Sequence, residues 1–178
     1  MAGRISSLDA FTTRRMRAER LRPDHHADLR RMDTDARMMA TLGGIRDPAG
    51  TAEYLARNLE HWAEHGFGIW MLRDVDTGSV MGRAVLRHLE INGVDEVEVG
   101  YGFLPEFWGR GLATEIARAC VRIGLEALRL PSLIAITLTT NFGSRRVLEK
   151  AGLLYQRDML HAGLPHALFR IVNQGAAQ

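Results

Sequence analysis

The stretch from Glu96 to Leu128 limits the fold most, because its hydrophobic period changes there across a short glycine-rich turn. Val97, Val99, Tyr101 and Phe103 alternate with Glu96, Glu98, Gly100 and Gly102, the pattern of a half-buried strand. Pro105 stops that strand. Gly111 to Leu128 then places Leu112, Ile116, Ala119, Ile123 and Ala127 on one side of the longest predicted helix. Between them stands Trp108-Gly109-Arg110-Gly111-Leu112-Ala113-Thr114. A strand, a tight turn and a helix start in succession make an anion site. The first backbone N–H groups of a helix lack intrahelical partners and carry the positive end of its dipole. Gly109 and Gly111 have no Cβ, so a phosphate can approach the main chain closely. Thr114 can add a hydroxyl and Arg110 a charge.

The flanking sequence predicts a mixed α/β order. Met1 to Phe11 and Asn173 to Gln178 read as loose termini around a domain spanning residues 12–172. Met16 to Leu21 reads as a first strand, followed by a short helix capped by Asp24 and another from Asp35 to Leu42. Thr51 to His65 reads as a helix capped by Thr51, with a Leu55, Leu59 and Trp62 stripe, ending at Gly66. A hairpin follows around Asp76-Thr77-Gly78. Beyond the long helix come a buried strand over Leu133–Leu138, a helix over Asn141–Lys150 and strands over Leu154–Met159 and His166–Val172.

Composition narrows the setting. A chain of 178 residues, 46% of them hydrophobic, can bury a single core, and no Pro/Gly/Ser-rich linker divides it. The lone Cys120 excludes an internal disulfide and points to a reducing, cytoplasmic home. No apolar run is long enough for a membrane span, and the polar, arginine-rich N-terminus is not a secretory signal. A formal charge of +2 is too mild to argue for nucleic acid. The stretch Arg14, Arg15, Arg17, Arg20 and Arg22 reads as a solvated strand edge.

Two rival meanings of the glycine turn fail on the residues. A Walker loop needs a Gly-Lys-Ser/Thr ending. A dinucleotide turn needs an acidic residue about twenty positions on, where Ser132 to Thr140 has none. Instead the chain resembles the GNAT (GCN5-related N-acetyltransferase) superfamily, most closely its ribosomal-protein N-terminal acetyltransferase branch. Glu98-Val99-Gly100-Tyr101 with Leu104-Pro105 resembles that branch's fourth strand, and Trp108 to Glu115 its pyrophosphate loop. Asn141, Ser144 and Arg146 to Gly152 resemble its later motif. Gly66 to Gly82, with Trp70 and Thr77-Gly78, resembles its second hairpin. The likeness covers about Arg14 to Ile171. It implies a single-domain GNAT fold, a mixed, mostly antiparallel twisted sheet flanked by helices.

The resemblance also implies the chemistry. An amine attacks the thioester of acetyl-CoA directly. Glu98 is the implied base, with Glu96 second because it shares the strand face; either could instead be a solvated carboxylate or an arginine's ion-pair partner. A main-chain N–H near Phe103 or Leu104 would meet the thioester oxygen. Gly109 to Thr114 would hold the pyrophosphate, with Trp108 standing where much of the superfamily has Gln or Arg. Asn141 would contact the pantetheine arm, although Asn also caps helices well. Many members protonate the leaving thiolate with a tyrosine, whose place is Leu148 here, so Ser144 becomes the candidate donor. Ser144 could equally satisfy local backbone groups. Arg145 and Arg146 could assist with CoA phosphates or be solvated. A homodimer is common in the family.

His61-Trp62-Ala63-Glu64-His65 supports a different class, since histidines four apart on a helix can share zinc with a glutamate between them. The helix ends at Gly66, however, and no segment offers an obvious third ligand, so the expected co-substrate is acetyl-CoA with no metal. A non-catalytic acyl-CoA-binding domain is the third class, resting on Leu148. The acceptor is open: a peptide N-terminus or a small-molecule amine. Met38, Met39 and Trp62 could line its pocket if exposed, but core packing is the expected role for them.

Overall fold

The computed structural model describes residues 8–175. The strands are β1 (Ala10–Thr12), β2 (Met16–Arg20), β3 (Ile69–Asp74), β4 (Val80–Ile91), β5 (Val94–Phe103), β6 (Ser132–Leu138), β7 (Leu154–His161) and β8 (Leu164–Val172). The helices are α1 (His26–Thr34), α2 (Ala36–Met39), α3 (Pro48–His65), α4 (Leu112–Arg122) and α5 (Phe142–Lys150). The strands form one eight-stranded sheet in the order β1-β2-β3-β4-β5-β6-β8-β7. Neighbours from β1 to β4 run antiparallel, β5 meets β6 in parallel at Glu98 and Ile134, and β8 is antiparallel to both β6 and β7. The mixed, mostly antiparallel sheet is therefore as expected. No helix among the described residues is long and apolar enough to cross a membrane.

Two compact units share this chain. One takes the residues up to Val85 with Tyr101–Leu112; the other takes Leu86–Gly100 and the residues from Ala113 onward. The first unit is built around β2, β3 and three helices. Met16 and Ala18 alternate inward on β2 against exposed Arg17, and Ile69 to Leu72 of β3 are wholly buried. Trp70 donates its indole N–H to Leu8 O at 2.7 Å and meets the rings of Phe11 and Trp62 edge-on. Ala10 to Thr12, in the stretch expected to be loose, pair with Glu19 to Arg17. Residues 1–7 of the expected terminus lie outside the described residues.

Three helices also differ from expectation in where they start or end. Asp24 does not cap α1; it lies in a short 3-10 turn, its carboxylate beside the Arg22 guanidinium. Only Ala36–Met39 of the second helix is α-helical, with Asp35 accepting from the amides of Arg37 and Met38. The third helix starts earlier, because Asp47 caps it through the Gly50 N–H at 2.7 Å and Pro48 fills the first position with a preset φ. Thr51 is thus one turn inside and fully buried. Met38, Met39 and Trp62 are core residues, at most 2% accessible, in keeping with the packing expected of them.

Thr51 belongs to a buried charge cluster. Asp33 has no exposed surface, and its Oδ1 accepts from Arg46 Nη1 at 2.7 Å and Arg83 Nη1 at 3.0 Å. Its Oδ2 accepts from the Thr51 hydroxyl at 2.9 Å. Both guanidinium groups also face the Tyr54 ring, at 4.4 and 4.8 Å. A buried carboxylate is tolerated only with such partners.

In the second unit Leu112 apart, α4 buries Ile116, Ala119 and Cys120, and the helix continues past Arg122 as a wide π turn over Ile123–Ala127. The wider turn rotates the stripe, so Ile123 is buried while Ala127, expected on the same side, is exposed. Gly124 allows the close approach, since a Cβ there would lie 2.7 Å from Leu133 Cδ1. At the C-terminal end Asn173 is pinned, donating to Leu125 O at 2.8 Å and Leu130 O at 3.1 Å. The expected loose tail thus starts later, and residues 176–178 lie outside the described residues.

Two outcomes follow from this packing. Asp33→Ala strands the buried Arg83 guanidinium and the half-buried Arg46 one and is expected to cost about 3–5 kcal/mol in denaturant unfolding. Arg83→Met should cost less, because Arg46 and Thr51 still satisfy Asp33. Cys120 is fully buried and its thiol is pushed up to about 12 by that burial, so the native protein should resist iodoacetamide at pH 8 and react once unfolded.

Candidate functional site

The turn after β5 is built by local hydrogen bonds. Leu104 N–H donates to Met81 O at 2.9 Å, and Pro105 to Phe107 form a single 3-10 turn. Trp108 folds back so that its indole N–H donates to Phe103 O at 2.7 Å, leaving the residue 51% exposed. Gly109 and Gly111 follow with φ of 73° and 74°, a region side-chain-bearing residues rarely occupy. No atom lies within 4 Å of a Cβ built on Gly109. The sequence needs glycine here both for the backbone twist and for the open approach.

Positive side chains around this turn serve its carbonyl groups and carboxylate. Arg110 donates to Glu106 O at 2.8 Å, with its guanidinium 5.6 Å from the Phe107 ring centre. Arg31 pairs with the Glu106 carboxylate at 2.6 Å. Arg15 reaches from the β1–β2 turn to the Arg110 carbonyl at 2.6 Å. What the turn can offer an anion is therefore chiefly its main-chain amides, and α4 begins at Leu112. Ala113 and Thr114, half-buried in that first turn of α4, belong to the second unit.

In the second unit the two candidate carboxylates share a face of β5 but differ in their restraint. Glu96 is locked in a bidentate pair, with Arg170 Nη1 at 3.0 Å from Oε2 and Nη2 at 2.5 Å from Oε1. That hydrogen bonding raises the Arg170 guanidinium above its ordinary range. Glu98 is 8% exposed, and its Oε2 accepts from Arg87 Nε at 3.1 Å. Both carboxylates therefore have the arginine partner that their position on a strand face allowed.

The later motif opens a helix. Asn141 caps α5, its Oδ1 accepting from Ser144 N–H at 3.1 Å. Ser144 is half-buried in the first turn, and Leu148 one turn on is buried. Arg145 donates to Thr139 O at 3.1 Å and lies against the Phe142 and Tyr155 rings, while Arg146 is exposed.

The histidine motif is accounted for by helix-end packing. Phe67 O accepts from His61 Nδ1 at 2.8 Å, and the His61 and His65 rings lie 4.5 Å apart. His65 Nε2 sits 3.6 Å from the Glu64 carboxylate. Among the described residues no three His, Cys, Asp or Glu side chains gather as metal ligands. Reading the sequence also missed partners: Arg15, Arg87 and Arg170 each hold a group in or beside a candidate site. Arg17, Arg20 and Arg22 of the basic stretch lie beside Glu19, Asp9 and Asp24. No periodicity reports a contact such as Arg15 to Arg110, which spans 95 positions.

Comparison with known proteins gives this geometry its family. Over 135 residues, 76% of this chain and 78% of the other, the sequence is 29% identical to the uncharacterized protein YkkB of Bacillus subtilis. A shorter stretch of 61 residues, 34% of this chain and 26% of the other, is 43% identical to the FsC-acetyl coenzyme A-N(2)-transacetylase of Aspergillus fumigatus. The crystal structure of an acetyltransferase from Agrobacterium tumefaciens matches the fold with a TM-score of 0.81 at 23% identity, covering 96% of this chain and 98% of that one. Residues 15–154, well over half the chain, match the family described as the acetyltransferase (GNAT) domain. The chain belongs to the GNAT acetyltransferase family, whose acetyl donor is acetyl-CoA.

Proposed function

We propose that this protein moves the acetyl group of acetyl-CoA directly to a primary amine, either a protein N-terminus or a small-molecule amine. The observation that carries the reading is the pair of left-handed glycines, Gly109 and Gly111, opening the turn before α4. Main-chain amides of Gly109 to Thr114 hold the pyrophosphate, with Trp108 bracing the turn through its bond to Phe103 O. Asn141 contacts the pantetheine arm; with Oδ1 committed to the cap, that contact comes from Nδ2. The amine direction is supported by the family and by the name of the Aspergillus relative.

In the reaction, the amine nitrogen forms a bond to the thioester carbon, and the carbon–sulfur bond breaks as the tetrahedral intermediate collapses. Glu98 takes the proton that the acceptor ammonium must lose, so its contact with Arg87 has to yield during turnover. The bidentate Glu96–Arg170 pair favours Glu98 over Glu96 for this role. A main-chain N–H of the Phe103–Leu104 stretch meets the oxyanion. Leu104 already donates to Met81 O, which favours Phe103. The acylated nitrogen then loses its second proton. Ser144 relays a proton to the thiolate and is reprotonated by the one the nitrogen released, buried Leu148 having none to give. We place this activity in a reducing cytoplasm, consistent with a single buried thiol. Exposed apolar Leu154 and Leu160 of β7, with Leu164 and Val172 of β8, support a homodimer.

The direct test is acetyl-CoA turnover against a panel of amines that includes peptides with different first residues. Acetyl-CoA at a hundredfold excess over its Kd should stabilise the protein by about 2.7 kcal/mol, raising Tm by several degrees. No rise at any concentration overturns the donor assignment. Glu98→Gln should keep that rise yet lower kcat on the best acceptor by about a hundredfold. Unchanged turnover removes Glu98 from the mechanism.

A further inference from the structure

Arg15 takes no part in the chemistry above, yet its guanidinium is held against the donor turn. In a trans peptide the C=O and N–H point in opposite directions. The Arg110 carbonyl and the Gly111 N–H belong to one such unit. Arg15 Nη1 donates to that carbonyl at 2.6 Å, so the Gly111 N–H is turned the other way. The unit needs an external pin, because it lies between Gly109 and Gly111, and glycine adopts either sign of φ at little cost.

The stem of Arg15 suits that task. Thr13 and Met16 close its turn, with Thr13 N–H on Met16 O at 2.8 Å and Met16 N–H on the Thr13 hydroxyl at 3.2 Å. The Arg15 carbonyl accepts from Val75 N–H at 3.2 Å, tying the turn to the β3–β4 hairpin. A half-buried arginine on a braced backbone can therefore hold one carbonyl in one direction. Arg14, its neighbour, is exposed.

We propose that Arg15 is a positioning residue for the acetyl donor: it locks the Arg110–Gly111 peptide so that the Gly111 amide faces the pyrophosphate. This rests on the acetyl-CoA reading and adds a residue distant in sequence to it. The test compares acetyl-CoA with acetyl-pantetheine, which has the thioester but no pyrophosphate. Arg15→Met should raise KM for acetyl-CoA about tenfold, the scale of one lost charge-assisted hydrogen bond, with kcat nearly unchanged. KM for acetyl-pantetheine should stay as in the parent protein. Arg14→Met, which removes the same charge one residue away, should move neither. In the ligand-free Arg15→Met protein, 15N order parameters of Gly109 to Gly111 should fall below about 0.6, the range of mobile backbone.

A rise shared by both thioesters would mean general damage and overturn the proposal. So would an equal effect of Arg14→Met, which would assign the result to charge alone, or unchanged order parameters. Failure of the parent protein itself to bind acetyl-CoA would instead overturn the donor reading, and with it this role for Arg15.

Discussion

One fully buried carboxylate, Asp33, fixes the frame on which the glycine turn is hung. Arg46 and Arg83 both donate to it, and Thr51 donates from inside α3. Arg30 adds a bond to Thr51 Oγ1 at 3.0 Å and to Arg46 O at 2.9 Å. Taking these charges out of water is expensive, and only a complete set of partners offsets the cost. The cluster therefore specifies how α1, α3 and β4 meet rather than adding much net stability. The excess positive charge is shared with the Tyr54 ring.

From Arg83 the constraint passes along β4. Its neighbour Gly82 admits the backbone of β5 so closely that a Cβ would lie 2.1 Å from Gly102 O. A Cβ on Gly102 would in turn lie 2.9 Å from the side-chain ends of Met38 and Leu42, which would have to shift. One residue further, Met81 O receives the Leu104 N–H at the point where β5 ends. The Trp108 indole and the arginines then shape the turn itself. Arg15, Arg31 and Arg110 each bind an acceptor of this segment, while the space around Gly109 stays open.

Much of this was legible in the sequence, for identifiable reasons. The change of period across Gly109 and Gly111 is local, so the strand, turn and helix could be read in place. Asn141, Ser144 and Gly152 carried their cap and stop signals within one helix. Elsewhere the local signal misled. Thr51 stands just before an apolar stripe and looks like a cap, but Asp47-Pro48 was the stronger start and Thr51 was needed by Asp33. Ala127 left the buried stripe where the helix widens into a π turn, which no periodicity announces. Phe11 looked like part of a loose end because its partner, Trp70, is far along the chain. The arginine partners of Glu96, Glu98 and Arg110 stayed hidden because charge pairing across a sheet leaves no mark in residue spacing.

The family membership fixes the class of reaction, and the proposed donor site rests on the main-chain amides of Gly109 to Thr114. The measurement closest to that claim is a titration of 15N-labelled protein, following each backbone amide as the ligand is added. Acetyl-CoA should produce its largest saturable shifts at Gly109 to Thr114, and acetyl-pantetheine, lacking the pyrophosphate, should leave those amides nearly in place. Saturable acetyl-CoA shifts that bypass this turn would contradict the account.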